Sequence, residues 1–414
     1  MKPRFSRRHL IAAAAGGALF GGARHGCTRL ARPSPAAEAL SAAAQALVAR
    51  AWQGLDPRRV LDAHVHVVGL GKGGTGCEVH PEMQSLLHPV AAFKFRLYLD
   101  ASGVDDVERA DQQYAERLAS LLRAQAPRGR ALLLAFDRAH DEQGRPLPEA
   151  TEFYTPNEYV AGLAKAAPEL FVPGASVHPY RPDAVEALEK AVAAGAVAVK
   201  WLPNAMRIDP SSPRCDAFYE AMARLKVPLI THAGEEKAVD ADEAQRLGNP
   251  LHLRRPLEHG VTTVVAHCAS LGANPDLDAP GQPWVDNFDL FLRLMGEARW
   301  EGRLFGEVSA LTIVNRIGRP LETVLADAAL QRRLVNGSDY PLPAINVLMQ
   351  TRAAKAAGLV TAEERELLNE IDRHNPLLFD FVMKRTLRLH RGGALHRLAD
   401  DVFTARPEVF PRLA

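Results

Sequence analysis

Eight short apolar runs, each followed by an amphipathic stretch, occupy most of the chain from residue 58 onward. The runs are rich in Val, Leu and Ile, which is typical of parallel strands buried on both faces. The stretches between them have helical spacing: Ala184, Leu188 and Val192 share one face, and Gly195 ends that pattern. The runs span residues 60–67, 131–137, 171–179, 196–203, 228–234, 262–269, 304–311 and 334–341.

This alternation predicts an α/β fold, specifically a (β/α)8 barrel of the TIM type with a C-terminal helical extension. Eight strand–helix units over roughly 290 residues suit a barrel whose typical size is about 250 residues. A doubly wound open sheet is the alternative, but no GxGxxG pattern follows the first strand. We therefore expect the carboxyl ends of the strands to meet at one face.

Polar side chains stand near the carboxyl ends of most of these runs. His64 and His66 share one face of the first strand, because strand side chains repeat every two residues. Two imidazoles buried without partners are costly, so their nitrogens need a ligand or a hydrogen bond. The other residues at strand ends are Lys200, His232, His267, Glu307 and Asp339. Imidazole nitrogens and carboxylate oxygens gathered at one point favour a divalent metal ion.

The first segment, MKPRFSRRHLIAAAAGGALFGGARHGC, predicts export rather than a folded element. A basic start with Arg7 and Arg8 precedes an apolar stretch over about residues 10–23, which is shorter than the roughly 20 residues of a membrane span. The order of these regions resembles a twin-arginine export signal, which implies a periplasmic or secreted protein. Basic neighbours make Cys27 a poor lipidation site. We assign residues 1–50 to a signal peptide and linker.

Composition narrows the classes of partner. The net charge is +1, so no electrostatic footprint for nucleic acid is present. The four cysteines are scattered without CxxC spacing, which argues against a zinc knuckle or a disulfide framework. We expect a small-molecule substrate and no stable membrane span, and the sequence leaves a homo-oligomer open.

Five separated motifs resemble the metal-dependent amidohydrolase superfamily: DAHVH, AVKWLPN, THAGEE, VAHCAS and NGSDYP, in this order on successive predicted strands. The resemblance covers residues 58–375, where DRHNPLLF is similar to the closing helical segment, and it is closest to the amidohydrolase 2 branch. It implies a distorted (β/α)8 barrel over residues 51–414, with one or two divalent ions at the carboxyl face.

Carried over by position, the resemblance implies that His64 and His66 hold the more buried ion together with Asp339. His232 and His267 would hold a second ion. A carboxylated Lys200 would bridge both, whereas an unmodified ammonium would repel them. We expect zinc as the ion.

The ligand set predicts a hydrolase that cleaves an amide, cyclic amide or lactone bond by metal-activated hydroxide, with Asp339 as the proton carrier. A metal-dependent non-oxidative decarboxylase of the same superfamily is the alternative enzyme, and a non-catalytic metal-binding module is the third class. Asn204, Arg207 and Glu235 follow strand ends and are candidates for substrate contact. Glu307 and Tyr340 lie where they could contact substrate, and a structural role is an equal alternative for both.

Overall fold

The computed structural model describes residues 39–237, 242–346 and 348–413. The predicted export signal, including Arg7, Arg8 and Cys27, lies outside these residues. The β-strands are β1 (Leu61–His66), β2 (Glu78–Val79), β3 (Arg130–Leu134), β4 (Phe153–Tyr154), β5 (Phe171–Pro173), β6 (Val199–Trp201), β7 (Leu229–His232), β8 (Thr263–Ala266), β9 (Ala273–Pro275), β10 (Trp284–Asp286), β11 (Leu304–Glu307), β12 (Leu334–Val335), β13 (Leu389–Arg391) and β14 (Ala394–His396).

The α-helices of the same residues cover the outside of the strands and extend beyond them. They are α1 (Ala42–Trp52), α2 (Pro89–Ala101), α3 (Ala110–Arg123), α4 (Asn157–Ala166), α5 (Ala184–Ala193), α6 (Pro203–Met206), α7 (Asp216–Leu225), α8 (Arg254–Glu258), α9 (Asn287–Met295), α10 (Arg319–Ala326), α11 (Ala328–Gln331), α12 (Thr351–Ala356), α13 (Ala362–His374) and α14 (Pro376–Thr386). None of them is long and apolar enough to cross a membrane.

Eight parallel strands close into a barrel. β1, β3 and β5 form one sheet, and β6, β7, β8, β11 and β12 form the other, in that spatial order. Parallel bridges join the two sheets at both edges, between Val65 and Tyr340 and between Ala175 and Val199. Each of the eight apolar runs contributes one strand, so the prediction of a (β/α)8 barrel is confirmed and the open-sheet alternative is wrong.

The observed strands are shorter than the apolar runs that predicted them. β5 ends at Pro173, for example, although its run continues to residue 179. Within that remainder His178 is fully buried, and its Nε2 donates to the carbonyl of Met206 at 2.9 Å. His178 is therefore a core histidine with a satisfied ring, and the run continues as a loop on the carboxyl face.

The inside of the barrel is apolar at its amino end. One buried cluster contains residues in or beside each of the eight strands, among them Leu61, Leu132, Ile230 and Phe305. Phe410 from the C-terminal segment belongs to the same cluster. Because the C-terminal segment packs against this cluster, the amino end of the barrel is filled and the polar strand ends lie at the opposite face.

The C-terminal helices confirm the predicted extension. Asn375 begins α14, and its side chain accepts hydrogen bonds from the backbone N–H groups of Leu377 and Leu378 at 3.1 Å each. Helix α1 packs on the same side, where the rings of Trp52 and Phe381 lie 4.5 Å apart. Residue 50, the last of the predicted signal peptide and linker, lies within α1, whose alanine-rich composition suits a helix. The domain boundary stays a prediction.

Candidate metal centre

The polar residues of the strand ends meet at the carboxyl face of the barrel. His64 and His66 come from β1, Lys200 from β6 and His232 from β7, while His267 follows β8 and Asp339 follows β12. All of them except His66 are less than 9% exposed. The structure thus brings together every residue that the sequence proposes as a metal ligand.

The closest group consists of two imidazoles and one carboxylate. His64 Nε2 lies 3.2 Å from His66 Nε2, and Asp339 Oδ1 lies 3.1 Å from His66 Nε2 and 3.5 Å from His64 Nε2. A tetrahedral ion with bonds of about 2.1 Å holds its ligand atoms about 3.4 Å apart. These three atoms therefore fit one divalent ion in both donor type and spacing.

Glu307 lies behind His64, outside the group of His64, His66 and Asp339, and forms a second potential metal-binding group with His64 and His267. Its fully buried carboxylate accepts from His64 Nδ1 at 3.0 Å and from Ser309 Oγ at 2.6 Å. Burial alone would raise the pKa of Glu307, but its hydrogen bond with His64 lowers that pKa below its usual value. A carboxylate on Nδ1 leaves the lone pair on Nε2, which is the tautomer that a metal ligand needs.

His232 repeats this arrangement on the other side of the site. Its Nδ1 lies 3.4 Å from Glu236 Oε2, and its buried Nε2 has no hydrogen-bond partner. Burial lowers the pKa of His232 to about 4, so the ring is neutral at pH 7. A buried neutral imidazole with an unsatisfied Nε2 is suited to bind a cation.

His267 and Asp339 complete the pocket floor. His267 Nε2 lies 3.7 Å from Asp339 Oδ2, and burial holds the pKa of His267 well below its usual value. For Asp339, burial would raise the pKa, but the adjacent His64 and His267 and the hydrogen bond from His66 hold it well below its usual range. Asp339 is therefore an ionised carboxylate whose two oxygens face different histidines.

Lys200 points at the same centre. Its Nζ lies 3.1 Å from His64 Nε2, and its side chain is 2% exposed. Burial lowers the pKa of Lys200 to about 8. This position is compatible with a bridging carbamate, and carboxylation of Lys200 stays a prediction.

The backbone is held in the left-handed region at two of the proposed ligands. His267, Cys268 and Ala269 have φ values of 56°, 51° and 49°, and Asp339 has φ of 61°. Such conformations are costly for residues other than glycine and persist where the surrounding structure enforces them. Here they aim His267 and Asp339 into the site.

A buried ion pair supports the loop that carries Asp339. Lys384 Nζ donates to the carbonyl of Gly337 at 2.5 Å and to Asp380 Oδ2 at 2.6 Å, and Lys384 is 1% exposed. Gly337 must lack a side chain, because a Cβ there would lie 2.6 Å from His64 Cβ. Close backbone approach and the ion pair together fix the position of the carboxylate.

A cavity of about 340 Å³ opens above this floor. Its floor is formed by the proposed ligands, and most of its walls are apolar. Three further cations, Lys94, Lys237 and Arg316, also line it, and Arg316 donates to Ser270 Oγ at 2.7 Å. A volume of this size is suited to a small organic molecule.

A sequence model of a family described as amidohydrolase matches residues 61–376, about three quarters of the chain. The chain belongs to the amidohydrolase family. Enzymes of this family generally bind a divalent metal ion, which agrees with the ligand group at the strand ends. No curated protein matches this amidohydrolase in a sequence comparison.

Solved structures resemble this amidohydrolase at low identity. An uncharacterised TIM-barrel protein of Bordetella bronchiseptica has 14% identity and a TM-score of 0.46 over 79% of this chain and 99% of its own. A 4-oxalomesaconate hydratase of Rhodopseudomonas palustris has 15% identity and a TM-score of 0.40 over 86% and 96%. A 2,6-dihydroxybenzoate decarboxylase of Rhizobium has 13% identity and a TM-score of 0.41 over 79% and 99%.

The residues that the sequence proposes for substrate contact do not line the cavity of this amidohydrolase: Asn204, Arg207, Glu235, Glu307 and Tyr340. Asn204 is buried, and its amide donates to the carbonyl of Gly234 at 3.3 Å. Tyr340 packs its ring against Tyr114 within the core. The neighbouring Glu236, four residues after His232, lines the cavity instead of Glu235.

The sequence did not predict the cations of the cavity or the buried ion pair of Lys384 and Asp380. Arg316 lies nine residues after the end of β11, and Lys94 lies on α2, so neither follows a strand end directly. Lys384 and Asp380 have i,i+4 spacing on α14, which is the one signal that sequence offers for their pairing.

Proposed function

We propose that this amidohydrolase hydrolyses an amide, cyclic amide or lactone bond in a small molecule, using a Zn²⁺ ion held by His64, His66 and Asp339. The observation that carries the proposal is the convergence of the Asp339 carboxylate with three imidazoles beneath an apolar cavity. When bound, a divalent ion lowers the pKa of a coordinated water and polarises a carbonyl oxygen.

Asp339 carries the proton in this proposal. Water adds to the carbonyl carbon, and the proton that it loses passes to a carboxylate oxygen of Asp339. The same proton then moves to the leaving nitrogen or oxygen as its bond to the carbonyl carbon breaks. The low pKa of Asp339 keeps it ionised at neutral pH, so the group is present in its carboxylate form.

The neutral histidines complete the site. Glu307 orients His64, and Glu236 orients His232, so that each presents an Nε2 lone pair to the centre. His232 and His267, with a carboxylated Lys200 between the two sets, would supply ligands for a second ion. Elemental analysis tests this part of the proposal: two ions per chain in the wild type and at most one in Lys200→Ala support the bridge. Full metal content in Lys200→Ala refutes it.

The main test is Asp339→Asn. The amide keeps the size and one ligand oxygen but loses the base, so kcat should fall by about 100-fold or more. The loss should appear in kcat rather than in KM alone, since proton transfer acts in the transition state. His390→Gln, at an exposed position, is the control. Full turnover of Asp339→Asn on a true substrate would overturn the proposed mechanism.

Non-oxidative decarboxylation is a second candidate, and Arg316 is the observation that favours it. A decarboxylase needs a cation for the substrate carboxylate, and Arg316 lines the cavity on the same floor as Asp339. Release of carbon dioxide from an aromatic or enoic acid, without hydrolysis of carbonyl compounds, would establish this reaction instead. Arg316→Met should then raise KM for the acid strongly.

We further propose that the protein acts in the periplasm or outside the cell after twin-arginine export. The paired Arg7 and Arg8 ahead of an apolar stretch support this proposal. Replacement of both arginines by lysine should leave folded protein in the cytoplasm, as measured by cell fractionation. Unchanged export would refute the proposal.

A further inference from the structure

The walls of the cavity differ in character from its floor. The floor carries histidines and a carboxylate, whereas the walls are formed mainly by aliphatic and aromatic side chains, including Leu97, Tyr98, Phe136, Phe153, Ile345 and Leu348. Water interacts weakly with such walls, so an apolar group that displaces it and becomes buried there binds with a favourable free energy. The cavity is therefore built to hold more than the reacting polar group.

An apolar stripe continues from this wall to the outside of the protein. Val90, Phe93 and Leu97 lie on one face of α2, since residues three, four and seven apart share a helix face. Val90 is 77% exposed and Phe93 is 41% exposed, while Leu97 lines the cavity. Solvent and cavity are thus connected by a continuous apolar surface.

The segment before α2 extends the stripe further. Leu86 and Leu87 are 92% and 87% exposed, the highest values among the large apolar side chains of the described residues. Single exposed apolar residues are normal, but four within eight positions of sequence form a patch that signals binding. Together with Leu97, these residues form an entry surface for an apolar molecule.

The charged side chains of the cavity select the charge of the polar end of such a molecule. Lys94 and Arg316 line the cavity near the stripe and floor, respectively. Lys94 forms a long ion pair with Glu152, at 3.8 Å. A cationic ligand is disfavoured here, whereas a neutral or anionic polar end suits these side chains.

We propose that the substrate carries an alkyl chain or comparable apolar group, which enters along α2 and binds the apolar wall while its carbonyl group reaches the floor. This inference rests on the proposed function and names the substrate class of the same site. A cavity of about 340 Å³ lies within the usual size range of pockets for small organic molecules, so it has room for a medium-length chain.

Isothermal calorimetry with n-alkanoates of four to ten carbons tests the proposal without requiring turnover. Each alkanoate supplies a carboxylate for the floor and a chain for the wall. Affinity should rise about fourfold for each added methylene until the wall is filled. The heat-capacity change of binding should become more negative with chain length, which is the signature of apolar burial.

Variants locate the chain. Leu97→Ser should weaken octanoate binding by about fivefold while butanoate binding changes less than twofold, because only the longer chain reaches the wall. Leu395→Ser, a half-exposed leucine in the hairpin of β13 and β14, is the matched control and should change neither. Circular dichroism checks that both variants fold.

The outcomes separate this inference from the proposed reaction. An affinity that does not depend on chain length, or an effect of Leu97→Ser that is equal for both alkanoates, overturns the inference even if the enzyme hydrolyses a carbonyl compound. Chain-dependent binding in a protein that hydrolyses nothing supports the inference and refutes the proposed hydrolysis alone.

Discussion

Glu307→Gln offers a sharp test of how this site prepares a metal ligand. The carboxylate accepts four hydrogen bonds: from His64 Nδ1 at 3.0 Å, from Ser309 Oγ at 2.6 Å, from the His267 backbone N–H at 3.5 Å and from the Ser309 backbone N–H. Oε2 receives the first three bonds, and Oε1 receives the fourth. A glutamine side chain has one oxygen and one NH₂ group, so it cannot accept at both positions.

Either orientation of the amide has a measurable cost. With its oxygen toward His64, the NH₂ group opposes the Ser309 N–H, and the unsatisfied buried donors cost about 1–3 kcal/mol of stability. With its NH₂ group toward His64, the imidazole is forced to protonate Nε2 and cannot bind the ion. Loss of such a supporting group typically lowers metal affinity by about 10–100-fold, or about 1.4–2.7 kcal/mol.

Competition with a fluorescent zinc chelator at pH 7 measures the affinity, and urea unfolding of the metal-free protein measures the stability. Glu189→Gln makes the same chemical change at an exposed ion pair with Arg224 and is the control. Zinc affinity within twofold of the wild type, in a Glu307→Gln protein of unchanged stability, would refute the role assigned to Glu307.

Two further predictions concern stability. In the folded, metal-free protein, burial lowers the pKa of His232 to about 4 from an ordinary 6.5, so the ring resists protonation. The unfolded chain binds this proton more readily. The free energy of unfolding should therefore fall as pH drops from about 6.5 to 4, by up to about 1.4 kcal/mol per pH unit. His232→Gln should flatten this urea-unfolding profile, and an unaltered slope would contradict the assignment. Lys384→Met should lower the free energy of unfolding by about 3–5 kcal/mol because it leaves buried Asp380 without its cation, and the double variant Lys384→Met, Asp380→Leu should recover most of that loss. Equal free energies of unfolding for the single and double variants would show that the pair contributes nothing.

The sequence was sufficient for the barrel because strand residues buried on both faces form uninterrupted apolar runs. The proposed ligands were visible for a related reason: His64, Lys200 and His232 interrupt apolar runs where an uncompensated polar group would be costly. Residue type and strand position together therefore placed them at one face of the barrel.

The other parts of the site depend on tertiary packing, which the local sequence pattern does not encode. Arg316 and Lys94 reach the cavity from loop and helix positions whose direction is set by packing, and Glu236 rather than Glu235 lines the cavity in the loop that follows β7. The role of Glu307 also needed the structure, since a strand-end carboxylate can face either a substrate or a neighbouring side chain. Alanine-rich helix α1 resembles a linker in composition, although Trp52 packs against Phe381.

The two bridges that close the barrel divide it into a three-stranded and a five-stranded half. His64 and His66 belong to the smaller half, whereas Asp339 follows the last strand of the larger one. An ion bound by all three residues is thus a cross-link between the two halves, in addition to the backbone hydrogen bonds that join them, among them Asp339 N–H to the carbonyl of His64 at 2.8 Å. One amide of the seam between the halves is His66 N–H, which donates to the carbonyl of Tyr340 at 3.1 Å. Such amides should exchange with deuterium more slowly as zinc is added, while the amides of distant β13 keep their exchange rates.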